Sequence, residues 1–226
     1  FRRSDQKHHW TLEELSHLPI HWYGGADLSK LHDLTAAALF GHYKGVDIIV
    51  THAFFPVVAA HEKADKDGIP LFGWRDNGWL TMCNSPTVNQ ADVINWFMEM
   101  RKKGFKIKQV GHDRKFCREY FIGMKAAGFQ IIDQPQYFYK KSEGFRRIEN
   151  SAKNGALYYL HSEAFEYCAS NVLAIEKTDD MIQYDKVQSE HRIDLFDAAV
   201  FACVRYLESL DRSSAAKKWW GEKEEE

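Results

Sequence analysis

The chain has 226 residues, 45% hydrophobic and 27% charged, with a formal net charge of -2 that leaves the partner open because acid and base can segregate on a surface. That length gives one large α/β domain or two small ones with a real core. Cys83, Cys117, Cys168 and Cys203 are far apart and form no C-x-x-C pair, so neither a zinc module nor a redox dithiol is indicated and reduced thiols are expected; no apolar run is long enough to span a bilayer, and no membrane partner is expected.

The sequence opens on Phe1 rather than Met and reads as a piece of a longer polypeptide. Residues 1–20 are polar, a linker or lead-in, with a short helix opening through the capping-box pattern Thr11-Leu12-Glu13-Glu14. Extended runs over His21 to Ser29, Leu34 to Tyr43 and Val46 to Phe55, separated by Lys30-Leu31-His32-Asp33 and Lys44-Gly45, predict an antiparallel meander. Val57 to Asp67 reads as a helix or lid, Gly73 to Gly78 as an irregular loop with packed tryptophans, and Trp79 to Cys83 as a strand. Val93, Trp96, Phe97 and Met100 give Gln90 to Lys103 a helical apolar face that Gly104 closes.

A strand over Phe105 to Gly111, a helix over Arg114 to Ala127 and a strand over Phe129 to Ile132 follow, an order that implies parallel neighbours. Tyr137 to Lys153 is helical, Ala156 to Leu160 extended, and Ser162 caps a helix to about Asn171. Extended pieces at Val172-Glu176 and Met181-Tyr184 precede a last helix from Arg192 to Leu210, whose core stripe is Ile193, Phe196, Val200, Cys203 and Leu207. Residues 21–210 are expected to form one domain, and 211–226 a flexible charged tail.

The candidate chemistry is carried by aspartates. Asp27 stands inside a glycine-flanked apolar strand, where a carboxylate is costly without a partner charge or metal; it equally reads as a turn residue. Asp113 follows a parallel strand, where open α/β sheets place ligand-binding residues, and it also suits a helix N-cap. Asp194 and Asp197 share one face at the start of the last helix, where an acid also complements the helix dipole. A meander, then a parallel strand bearing a second aspartate, then a late helix bearing a third, is the layout of an α/β fold of ribonuclease-H-like type: a mixed central sheet flanked by helices. Clustered carboxylates of this kind take hard divalent cations, a Mg2+ or Mn2+ pair about 3.5–4 Å apart that hydrolyses a phosphodiester.

Gly24-Gly25-Ala26-Asp27-Leu28-Ser29 with Asp33-Leu34-Thr35-Ala36, then Gly111-His112-Asp113-Arg114, Gln134, Asn171-Val172, Lys186 and Arg192-Ile193-Asp194, resembles the nuclease domain of the large terminase subunit of tailed bacteriophages. The resemblance covers about Tyr23 to Leu207. It implies a metal-dependent endonuclease that cuts concatemeric viral DNA during packaging in the host cytoplasm. Its partners would be double-stranded DNA, an ATPase domain of the same polypeptide ahead of residues 1–20, the small terminase subunit, and the portal or procapsid. No G-x-x-x-x-G-K-[ST] loop is present, so this chain is not the motor. By the same resemblance Asp27, Asp113 and Asp194 are the catalytic metal ligands, with Asp197 auxiliary to Asp194 and with His191 and Ser29 as further auxiliaries. One bound cation, or none, is expected without DNA.

Phosphate contacts are sought among the basic residues around Asp113, namely Lys106, Lys108, Arg114 and Lys115, and among Lys140, Lys141, Arg146 and Arg147. These runs read equally as solvated faces. Lys186 is a candidate for positioning the scissile phosphate. A junction resolvase, or a non-catalytic module docking on a capsid or motor, remains an alternative.

Overall fold

The computed structural model describes residues 1–28, 34–112, 117–177 and 181–221, with side chains to residue 213. At its centre β1 (His21–Asp27), β2 (Thr35–Tyr43) and β3 (Val46–Pro56) form the expected antiparallel meander. The β2–β3 hairpin closes on two residues, Lys44 and Gly45, both with positive φ, the backbone hand that matches strand twist in a tight hairpin. On the outer side of β3 lie β4 (Leu80–Cys83) and β7 (Leu157–Tyr158), both parallel to it. On the other flank β5 (Lys106–His112) runs parallel to β1, and β6 (Ile131–Asp133) parallel to β5. The order is β4-β3-β2-β1-β5-β6, with β7 also on β3.

Alternation along β2 sorts the core into two layers. Ala36, Ala38 and Phe40 face one cluster with Phe196, Val200 and Cys203, whereas Ala37 and Leu39 face another with Trp22, Val93 and Phe97. The first layer is covered by α7 (Phe138–Lys153), α8 (Glu163–Ser170) and α9 (Asp194–Gly221), the second by α5 (Gln90–Lys103) and α6 (Arg118–Ala126). Helix α9 lies against β1 so closely that a Cβ on Gly25 would stand 2.4 Å from Ala198 O and 2.5 Å from Ala202 N. The glycine therefore makes room for the helix backbone.

The helix α3 (Val57–Asp67) forms as expected, but α4 (Leu71–Asp76) occupies most of the stretch that reads as an irregular loop. Leu71 and Trp74, one turn apart, are both buried, and Gly78 with φ 80° stands beyond the helix end, so the loop-like composition hid a one-turn apolar pair. The tail also differs. Helix α9 continues past Leu210 to Gly221 through Ser-Ser-Ala-Ala-Lys-Lys, of which the alanines and lysines are strong helix formers.

The lead-in is docked rather than loose. Ahead of α2 (Leu12–His17), whose capping box closes on Thr11 and Glu14, the single turn α1 (Arg2–Asp5) buries Ser4 and Asp5. The Ser4 hydroxyl donates to Leu157 O and accepts from Leu157 N, both at 2.8 Å, and Asp5 accepts from Tyr159 N at 2.7 Å. A separate hairpin of β8 (Val172–Glu176) and β9 (Ile182–Lys186) is pinned to α7 by Ile182 N donating to the Ser142 hydroxyl at 2.8 Å.

Candidate metal centre

Asp27 is the last residue of β1, at the end where parallel β5 and β6 also finish. The β1–β5 ladder ends on Gly25 opposite Gly111, and both glycines are required: a Cβ on Gly111 would fall 2.1 Å from Gln134 Oε1. Buried Gln134 in turn accepts from Arg205 Nε at 2.5 Å and donates to Phe201 O, which locks the β6 exit to α9.

Asp194 and Asp197 stand in the first turn of α9. Asp197 is buried, and its Oδ1 lies 2.6 Å from the Lys141 ammonium and accepts a hydrogen bond from the Tyr184 hydroxyl. The pairing follows from helix contact: Gly144 of α7 packs on Val200 O of α9, and one turn back on each helix brings Lys141 to Asp197. Lys141 also stands over the Tyr184 ring, 4.9 Å from its centroid. Burial first, then the charge and hydrogen bond of Asp197, then the charge of Asp27, hold the Tyr184 phenol well above its ordinary pKa. Tyr184 is thus a fixed donor within electrostatic reach of both Asp27 and Asp197. Asp194 is buried on the α8 side, where its charge adds to burial in raising the Cys168 thiol.

Asp113, Arg114, Lys115 and Ser29 lie outside the described residues. Among the described residues no three His, Cys, Asp or Glu side chains come together as a metal site. The donors that are described, Asp27, Asp194 and Asp197, are hard oxygen ligands and fit Mg2+ or Mn2+ by chemistry, with one oxygen of Asp197 already committed to Lys141 and Tyr184.

The basic residues separate. Lys106 and Lys108 are exposed at the start of β5, where Lys106 pairs with His21, so along the strand they stand roughly 20 and 15 Å from Asp27 and belong to the far end of the sheet. Their charges, with burial as the larger cause, lower the pKa of His21 instead. Arg147 forks onto buried Asp47 at 2.6 and 2.9 Å, an arrangement shared with His42 and Ser151, so it is a structural ion pair. Lys140 is half-exposed near Glu143 and Glu208, Arg146 is half-buried, and Lys186 ends β9 with its backbone N donating to Asp185. His191 is half-buried just ahead of α9, its Nδ1 without a hydrogen-bond partner. Lys141 is the one member of these basic runs that is tied to a proposed site acid, among the described residues.

Sequence reasoning missed Tyr184 and read Lys141 as a phosphate contact. The only usable signal was the small residue Gly144 one turn from Lys141, which marks a close helix approach without naming the partner.

This is an α/β fold of ribonuclease-H-like type, a mixed central sheet flanked by helices. The family described as "Terminase large subunit, endonuclease domain" matches residues 21–209, and the chain belongs to that family. A large terminase subunit of Enterobacteria phage HK97 is 24% identical over 179 residues, which are 78% of this chain and 35% of the relative. The crystal structure of the HK97 large terminase superposes with a TM-score of 0.75 at 22% identity, over 83% of this chain and 40% of that one. The large terminase nuclease of thermophilic phage G20c, solved with bound magnesium, has a TM-score of 0.54 at 9% identity, covering 82% of this chain and 81% of its own. The chain thus spans about a third of the length of the curated relative that it matches. Among the described residues no helix is long and apolar enough to cross a membrane.

Proposed function

We propose that this nuclease domain is a divalent-metal-dependent endodeoxyribonuclease that cuts viral DNA concatemers during genome packaging, with Asp27, Asp113 and Asp194 as metal ligands. The observation that carries this reading is the β1–β5 register. Gly25 pairs with Gly111, Asp27 ends β1 two residues beyond Gly25, and in the sequence Asp113 follows Gly111 by the same two residues. Hard oxygen ligands favour Mg2+ or Mn2+, and the magnesium bound to the G20c nuclease agrees with that choice. These carboxylates would hold the cation, which would supply an activated water and charge stabilisation of the leaving 3′-oxygen.

The chain's own groups do the rest. Tyr184 and Lys141 fix Asp197. Lys186 and His191 remain candidates for positioning groups on the approach to α9. Residues 21–210 act as the nuclease unit, residues 1–20 as the connection from an ATPase domain and 211–226 as a tail. DNA, the small subunit and the portal or procapsid are the proposed partners in the host cytoplasm.

Supercoiled plasmid incubated with Mn2+ or Mg2+ tests the activity. Metal-dependent nicking and linearisation that Asp27→Ala removes is expected. Intact plasmid under both metals, or cleavage that persists in Asp27→Ala, overturns the proposal.

A further inference from the structure

A cleft of about 130 Å3 opens between the start of α7 and strand β9, lined by Gln136, Phe138, Lys141, Ile182, Gln183 and Tyr184. One water needs only about 10–15 Å3 by a comparable measure, so a ligand of several heavy atoms has room there. Its wall continues into three consecutive aromatic residues that are exposed at the surface: Tyr137 at 54%, Phe138 at 46% and Tyr139 at 43%. The rings of Tyr137 and Tyr139 are stacked, 5.5 Å apart and 8° from parallel, with Phe138 edge-on to Tyr139. Such a run left in water marks an interaction surface.

The chemistry of the cleft selects its occupant. Tyr184 offers only its edge, because Phe145 stacks on the ring and Lys141 stands over it. Phe138 is therefore the ring face on offer, and exposed Gln183 also lines the cleft. A flat heterocycle with donor and acceptor edges satisfies both kinds of group. Lys141 and Tyr184, which line the cleft, also hold Asp197 in the first turn of α9, so the cleft borders the proposed metal centre.

We propose that this cleft receives an unstacked nucleobase of the DNA strand held at the metal centre, with Phe138 as its stacking platform and Gln183 as an edge contact. The proposal rests on the nuclease reading for its choice of strand. The protein would accordingly favour frayed or single-stranded DNA beside the cut over a fully stacked duplex, a preference that phosphate contacts alone cannot produce.

The test compares two fluorescent single strands of equal length and charge in EDTA, one of thymidines and one of abasic residues. Anisotropy should show the thymidine strand bound on the order of 10-fold tighter by the wild-type chain, as expected for one stacked base. Phe138→Ala and Gln183→Ala, both at exposed positions, should each bring that ratio toward one while abasic-strand affinity stays put. Equal affinity for the two strands, no binding of either, or a ratio unmoved by both variants overturns the proposal. The plasmid assay separates the two readings: metal-dependent cleavage without base preference removes only the cleft, and base preference without cleavage removes only the nuclease.

Discussion

The ammonium of Lys141 lies 2.6 Å from Asp197 Oδ1, with side chains only 18% and 8% exposed, and it joins two helices at the same end of the sheet as Asp27. Removing one partner leaves a mostly buried charge without its counter-charge, which costs more than the pair contributes. Lys141→Met and Asp197→Asn should each lower unfolding stability by about 2–3 kcal/mol, after allowance for partial exposure. The double variant should lose less than the sum by on the order of 1 kcal/mol. Urea unfolding of the four proteins checks this, and strict additivity would remove the pair as a coupled unit.

Gly25 is the point where α9 touches β1. Gly25→Ala should destabilise by about 3 kcal/mol or more, because its Cβ would meet backbone atoms Ala198 O and Ala202 N, which cannot rotate away. Gly73, inside α4, has nothing within 4 Å of an added Cβ, so Gly73→Ala should instead stabilise by about 0.5–1 kcal/mol. Opposite shifts of the urea midpoint with unchanged slopes are the expected result.

How far each of these features is legible in the sequence depends on how local its cause is. The meander is readable because Lys44-Gly45 closes a two-residue turn and the residues of β2 alternate between two core layers. Helix α5 is readable end to end, from the Asn89 cap to Gly104 in the left-handed region. By contrast, the partner of Lys141 is set by Gly144 seating on Val200 O, a contact between distant segments that no local pattern encodes. Arg147 misleads for the same reason: its partner Asp47 lies on β3, 100 residues away in the sequence, and the run Arg146-Arg147 reads as a solvated basic face. The position of Lys106 and Lys108 at the wrong end of the sheet follows from strand direction, which adjacency to Asp113 in sequence conceals.

Burial lowers the pKa of His52 from 6.5 to about 4, its Nε2 standing 2.8 Å from the Thr81 hydroxyl. The unfolded chain then binds a proton that the folded chain refuses between these values, so stability rises with pH across that window. Above pH 6.5 the contribution is complete, and it is lost as pH falls toward 4, on the order of 2 kcal/mol in all. Unfolding measured across that range should show a shallower pH dependence in His52→Gln than in the wild-type chain. Identical slopes would place the His52 ring in contact with solvent.

A cation that binds the folded chain alone raises its melting temperature by mass action, by about 2.7 kcal/mol at a hundred times the dissociation constant, or roughly 5–10 °C for a domain of this size. Mn2+ should produce such a shift in the wild-type chain and none in Asp27→Asn. Asp194→Asn and Asp197→Asn then distinguish the two helix acids. Because Asp197 Oδ1 already serves Lys141 and Tyr184, Asp197→Asn should lower the starting temperature yet keep most of the Mn2+ shift, whereas Asp194→Asn should abolish the shift. The reverse pattern would make Asp197 the ligand and Lys141 the group that must move aside when the cation binds. Calorimetric titration without DNA should count at most one Mn2+ per chain, because a carboxylate held by an ammonium and a phenol leaves the second cation dependent on a phosphate oxygen.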